Sequence, residues 1–212
     1  MSSVLANSVS GLLAFQQALN VTSNNVSNAA TTGYSVEQIN LAEALGQSTA
    51  SGYYGNGVNV QSVTRAYDET LAAQVRTSQS SYSAFNTLAT YAANIDNMLS
   101  STSTGLTAAL QTFTNALQTV STSPTSTANR QVLISDANAL VQQLQSYQSQ
   151  LQTAGQNIEQ AIGDNVTQIN TIAKSIAQLN SQISAAEQGT GQTPNQLLDQ
   201  RDNLVDQLSQ YV

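Results

Sequence analysis

The chain has 212 residues, 40% of them hydrophobic but only 8% charged, where about a quarter is usual. With net charge −7 and five Lys and Arg in all, it can form no basic patch for nucleic acid or an anionic membrane surface. It has no cysteine and no histidine, which excludes disulfides, thiolate chemistry, the usual metal ligand and a Ser–His–Asp triad. No catalytic, cofactor-binding or metal-ligating set emerges, so the reading is of a protein that is not an enzyme and takes no cofactor or small-molecule substrate. No apolar run approaches the roughly 18 residues of a membrane span. The first charged residue is Glu37 and the first basic one Arg65, so the basic start of a secretory signal peptide is missing.

Residues 1 to about 30 read as a helix. Leu5, Leu12, Leu19 and Val26 fall seven apart, a narrow coiled-coil seam. Ser, Asn and Thr are frequent here and are weak helix formers. Four seam residues do not offset the entropy of ordering such a segment. The expectation is that it becomes helical only when its apolar face is covered by another helix, a neighbouring subunit or a remote part of the same chain. A solvent-facing helix normally carries Lys and Glu on its outer side, whereas this one carries no charge at all. Enclosure among protein neighbours would strand no buried ion.

Residues 34–64 look extended. Gly46, Gly52, Gly55 and Gly57 punctuate them, and Asn56-Gly57 is a tight-turn signal before a short strand at Val58, Val60 and Val63. From Ala66 onward the pattern is helical. Leu71, Val75, Tyr82, Phe85, Leu88 and Ile95 step by threes, fours and sevens, and a break is predicted over Ser100–Gly105. Leu106 to Val120 forms the next helix, ended around Pro124. A long series from Leu140 to Ala186 predicts one helix from near Ser126 to near Gln188, on the order of 90 Å long if continuous. Gly189–Pro194 ends it, and Thr193-Pro194 predicts a helix start with Thr as cap and Pro in the first turn. The fold class expected is mainly α: an elongated antiparallel helical bundle with long coiled-coil helices (66–212), an amino-terminal axial helix (1–33) and a short extended linker with a β-hairpin (34–65). The stop at Tyr211-Val212, within a periodic pattern, reads as the edge of a longer protein.

Within the last helix, Asp199 and Asp202 lie three apart and share a face, with Arg201 beside them. No pocket-forming or base-supplying motif accompanies them. They read as a structural ion pair or cap rather than a catalytic carboxylate pair.

Ser10-Gly11-Leu12, Ser23-Asn24-Asn25-Val26-Ser27-Asn28 and Thr32-Gly33-Tyr34 resemble the amino-terminal signature of bacterial flagellar axial proteins. Gly55-Asn56-Gly57-Val58-Asn59-Val60 with Arg65-Ala66-Tyr67-Asp68 resembles their link into a helical domain. The block Pro194-Asn195-Gln196-Leu197-Leu198-Asp199-Gln200-Arg201-Asp202 is similar to that of the hook-associated family at the hook–filament junction. Where many relatives have Arg two residues after the Gly-Tyr pair, this chain has Val36. The resemblance implies a structural adapter that joins hook to filament. It implies export through the flagellar type III machinery with a chaperone, without a cleaved signal peptide, to an extracellular position in the flagellum. It also implies assembly as a homo-oligomeric ring touching the hook protein and the next hook-associated protein. The residues it marks for axial packing are Leu5, Leu12, Leu19, Asn24, Asn25, Val26, Asn28, Gly33 and Tyr34. Leu197, Leu198, Asp199, Arg201 and Asp202 are marked for family-specific packing. The alternatives are another axial subunit of rod or hook, and a secreted enzyme carrying a flagellar export segment.

Overall fold

A computed structural model describes residues 3–50, 52–100 and 105–212. Helix α1 (Ser3–Ser27) leads into strand β1 (Glu37–Glu43), a small hairpin of β2 (Gln47–Thr49) and β3 (Gly52–Tyr54), and strand β4 (Val58–Arg65). Four helices follow: α2 (Glu69–Ser100), α3 (Leu106–Thr122), α4 (Thr127–Thr190) and α5 (Asn195–Leu208). The fold is thus mainly α, with small antiparallel sheets, and α4 passes through Gly155 and Gly163 as one helix. The break predicted over Ser100–Gly105 falls on residues 101–104, outside the described residues. Two compact units divide the chain: Met1–Ser80 with Ile169–Val212, and Ser81–Gln168.

In the first unit, β1 and β4 pair antiparallel from Glu37↔Arg65 to Glu43↔Val58, with an irregularity at Asn40/Leu41 that leaves Gln61 without a partner. The extended segment is therefore a long hairpin with a second one nested in it. Asn56-Gly57 does not turn one strand onto the next as the tight-turn signal suggests. It ends the nested hairpin, and Gly57 carries φ +89°. A Cβ there would collide with the Ser10 hydroxyl, so close approach to α1 demands glycine.

α1 lies on this hairpin by the face opposite the predicted seam. The seam residues Leu5, Leu12, Leu19 and Val26 are 50, 70, 69 and 73% exposed. Ala14 and Val21 are 3 and 7% exposed, and Asn7, Ser10, Gly11, Ala18, Asn25 and Asn28 are half-buried beside them. The two heptad stripes are offset by two residues, about 200° around the helix. The small and polar stripe seats α1, while the apolar one stays open.

The start of α5 also differs from expectation. Pro194 occupies the cap position, and no side chain caps the helix. The Thr193 carbonyl accepts from the Asn195 N–H at 3.0 Å, so the backbone of Thr193, not its hydroxyl, meets the first orphan donor. At α2, Asp68 Oδ1 accepts from the Leu71 N–H at 3.0 Å, an ordinary N-terminal cap. Ile172 and Ile183 of α4 are buried in this unit, as the long apolar series requires. Leu71 and Val75, from the series predicted along α2, are exposed.

In the second unit, α3 and α4 are joined across Pro124, whose carbonyl accepts from Arg130 Nε at 2.7 Å. Ala116 and Tyr147 are buried. Tyr82, Phe85 and Leu88 of α2 are exposed, again contrary to a core-facing stripe; the half-buried α2 position here is Tyr91, with Ser83.

Candidate assembly junction

The marked polar residues converge where the end of α1, the turn after it, the start of β1 and helix α5 meet, all within the first unit. Asn25 bonds the backbone of β1 in both directions: its Oδ1 accepts from the Glu37 N–H at 2.8 Å and its Nδ2 donates to the Glu37 carbonyl at 2.9 Å. The Tyr34 hydroxyl donates to the same Oδ1 at 2.7 Å. Asn24 Nδ2 donates to the Tyr34 hydroxyl at 3.3 Å and to Glu37 Oε2 at 3.2 Å. Asn28 folds back on Asn24, donating to its Oδ1 at 2.9 Å and its carbonyl at 3.0 Å. These bonds tie the last turn of α1 to Tyr34 and to the first residue of β1.

Gly33 makes the reversal possible. Its φ is +80°, a region costly to any residue with a Cβ, and a Cβ there would overlap the Asn203 amide of α5. The chain then continues to Ser35, whose N–H donates to Asp199 Oδ2 at 2.9 Å.

Arg65, at the end of β4, sits between two carboxylates of α5. Its Nη1 meets Asp199 Oδ1 at 2.9 Å and its Nη2 meets Asp202 Oδ2 at 2.6 Å, with all three side chains only 10–11% exposed. Arg201 pairs with the other oxygen of Asp202 at 2.9 Å. The Arg65 guanidinium also lies 4.2 Å above the Tyr67 ring, a favourable cation–π placement. Burial opposes the Arg65 charge, but the bonds to Asp199 and Asp202 outweigh it and hold its pKa above the usual guanidinium value. Tyr34 is also raised, first by burial and then by the nearby charges of Glu37 and Asp199. Asn195, at the start of α5, donates to Glu37 Oε1 and to the Val63 carbonyl, both at 3.0 Å. Further along, Arg76 of α2 bonds Asp206 at 2.6 Å and the Tyr67 hydroxyl at 2.8 Å. Burial again works against its charge, and Asp206 and Tyr67 more than restore it.

The structure therefore brings Asn24, Asn25, Asn28, Gly33 and Tyr34 together with Asp199, Arg201 and Asp202. Leu197 and Leu198 are half-buried on the same helix. Leu5, Leu12, Leu19 and Val26 stand apart on the open face of α1. Sequence reasoning missed Arg65 as the partner of both aspartates, and Glu37 and Asn195 as bridges. A signal existed: Glu37 and Arg65 are among the first three charged residues of a chain that uses charge sparingly. Two aspartates on one face, with Arg201 as the one cation beside them, leave a charge to be matched from elsewhere. Arg65 and Arg201 are ion-paired with Asp199 and Asp202, Glu37 is bonded by the amides of Asn24 and Asn195, and no set of three or more metal-ligating side chains occurs among the described residues. The chemistry of the cluster is that of a clamp: it locks the direction of α1 to α5.

Comparison with known proteins agrees in both halves of the chain. Residues 92–212 match the family described as the flagellar hook-associated protein FlgK helical domain. Residues 5–34 match the flagella basal body rod protein family. Flagellar hook-associated protein 1 of Salmonella typhimurium strain LT2 is 41% identical over 213 residues, covering 100% of this chain and 38% of that protein. The Escherichia coli K12 protein of the same name is also 41% identical, with 100% and 39% covered. That of Bacillus subtilis 168 is 31% identical over 209 residues, with 95% and 41% covered. The chain thus spans about two fifths of the length of these relatives.

Proposed function

Because the chain belongs to the family of the flagellar hook-associated protein FlgK helical domain, we propose that it is a non-catalytic structural part of the bacterial flagellar axis that joins hook to filament. The observation that carries this reading is the division of α1 into a seated polar face and an open, uncharged, apolar one. Leu5, Leu12, Leu19 and Val26 are presented for axial packing, and the junction holds them in a fixed direction. In this reading residues 1–33 are the axial helix, 34–65 the link and 66–212 the bundle. The protein leaves the cell through the flagellar type III machinery with its chaperone. It assembles extracellularly as a homo-oligomeric ring between the hook protein and the next hook-associated protein. The rod-family match is confined to residues 5–34, whereas the helical-domain match extends over 92–212. This favours the hook-associated role over a rod subunit.

The test is Leu12→Asp with Leu19→Asp in the full-length protein. Both positions are exposed here, so folding and export should persist while filaments no longer stay on hooks. Filaments that remain attached in cells carrying only this variant defeat the proposal.

A further inference from the structure

We infer that Asn56 is a site of spontaneous covalent modification: its side-chain amide is lost to attack by the Gly57 backbone nitrogen, and the isoaspartyl product loosens the seat of α1. Asn56-Gly57 is the one Asn-Gly pair in the chain. Attack needs the nitrogen close to the side-chain carbonyl and free of other bonds. Asn56 is exposed and lies between β3 and β4, outside either strand. Neither its side chain nor the Gly57 N–H has a hydrogen-bond partner among the described residues. The Gly57 carbonyl, by contrast, accepts from the Ala44 N–H at 2.9 Å. Glycine also has no Cβ to crowd the attacking nitrogen. Asn7-Ser8 and Asn180-Ser181 likewise pair Asn with a small follower, but both lie within helices. There the follower's N–H is committed to the carbonyl four residues back.

The fold itself requires this glycine. Gly57 has φ +89°, and a Cβ there would collide with the Ser10 hydroxyl, so the residue that lets α1 approach also leaves Asn56 open to attack. In the reaction the Gly57 nitrogen bonds Asn56 Cγ, the Cγ–Nδ2 bond breaks, and ammonia leaves carrying the nitrogen's proton. Water then opens the cyclic imide at either carbonyl. One opening gives Asp; the other gives an isoaspartyl link, which runs the backbone through the side chain and lengthens it by a methylene just ahead of Gly57. The longer link shifts Gly57 against Ser10, whose hydroxyl accepts from the Val58 N–H at 3.2 Å.

Incubation of the folded 212-residue chain at mildly alkaline pH, followed by digestion and mass spectrometry, tests the site. A free peptide of residues 52–60 is incubated beside it. In the folded chain Asn56 should be converted faster than Asn7 and Asn180 by about tenfold or more, and at a rate within about tenfold of the peptide's. Failure of either margin overturns the inference, because the turn would then hold the pair out of line. Asn56→Gln should abolish conversion at this position. Amide exchange tests the consequence: Val58 should exchange on the order of fivefold faster in the isoaspartyl chain than in the fresh one, and Asn56→Gln incubated alike should show no rise. An unchanged Val58 rate after conversion refutes the loosening of α1.

Discussion

The two faces of α1 carry opposite chemistry and opposite fates. The face with Leu5, Leu12, Leu19 and Val26 has the apolar spacing that normally marks a core, yet it is open. The face with Asn7, Ser10, Ala14, Val21, Asn25 and Asn28 is small or polar, yet it is the one that packs. What seats the helix is the pairing of amides and hydroxyls with backbone groups, with Ala14 and Val21 buried between them. An unpaired polar group or ion there costs more than a lost methyl contact, so the polar face is the more demanding of its partner.

Breaking the ion cluster should have the largest effect. Arg65→Met leaves the buried Asp199 without its ion partner and Asp202 with Arg201 alone, and should cost about 3–5 kcal/mol in urea unfolding. Adding Asp199→Asn and Asp202→Asn to the same chain should recover much of it. Gly33→Ala should cost at least about 1–2 kcal/mol by the same measurement, because it places a Cβ at positive φ and against Asn203. Tyr34→Phe removes one bond to Asn25 and should cost about 1 kcal/mol near neutral pH.

Tyr34 also sharpens the comparison through pH. Its phenol ionises later in the folded chain than in the unfolded one, so the folded state keeps the proton longer. Its contribution is full below the ordinary phenol value of about 10 and is lost as pH rises through the folded value. Thermal unfolding followed from neutral to strongly alkaline pH should show this fall, and Tyr34→Phe should lessen it. The smallest effect on folding belongs to the open face: Leu12→Asp and Leu19→Asp should each change the stability of this chain by under about 0.5 kcal/mol. A large loss there would mean that the apolar stripe already has a partner within the chain.

Much of this was legible along the chain. The helical series of α4, the breaks around Pro124 and Gly189–Pro194, and the extended stretch before Arg65 follow from local periodicity and turn chemistry. The cluster of Asn24, Asn25, Asn28, Gly33 and Tyr34 stood out as a motif. Its purpose did not, because an amide side chain shows no preference for one partner until a backbone is placed beside it. The Leu71 to Leu88 stripe of α2 shows the converse limit: period alone says that residues share a face, not that the face is covered.

Composition and spacing by themselves determined a mainly helical chain of little charge, with an apolar stripe on an uncharged leading helix and an acidic pair near its end. Only the tertiary structure decided which side of α1 is seated, that Arg65 answers both aspartates from more than 130 residues away, and that the link is a hairpin within a hairpin. The division has a physical cause. Periodicity is a property of neighbours along a helix or strand, whereas the partner of a buried charge or a strand edge is set by where distant segments come to rest.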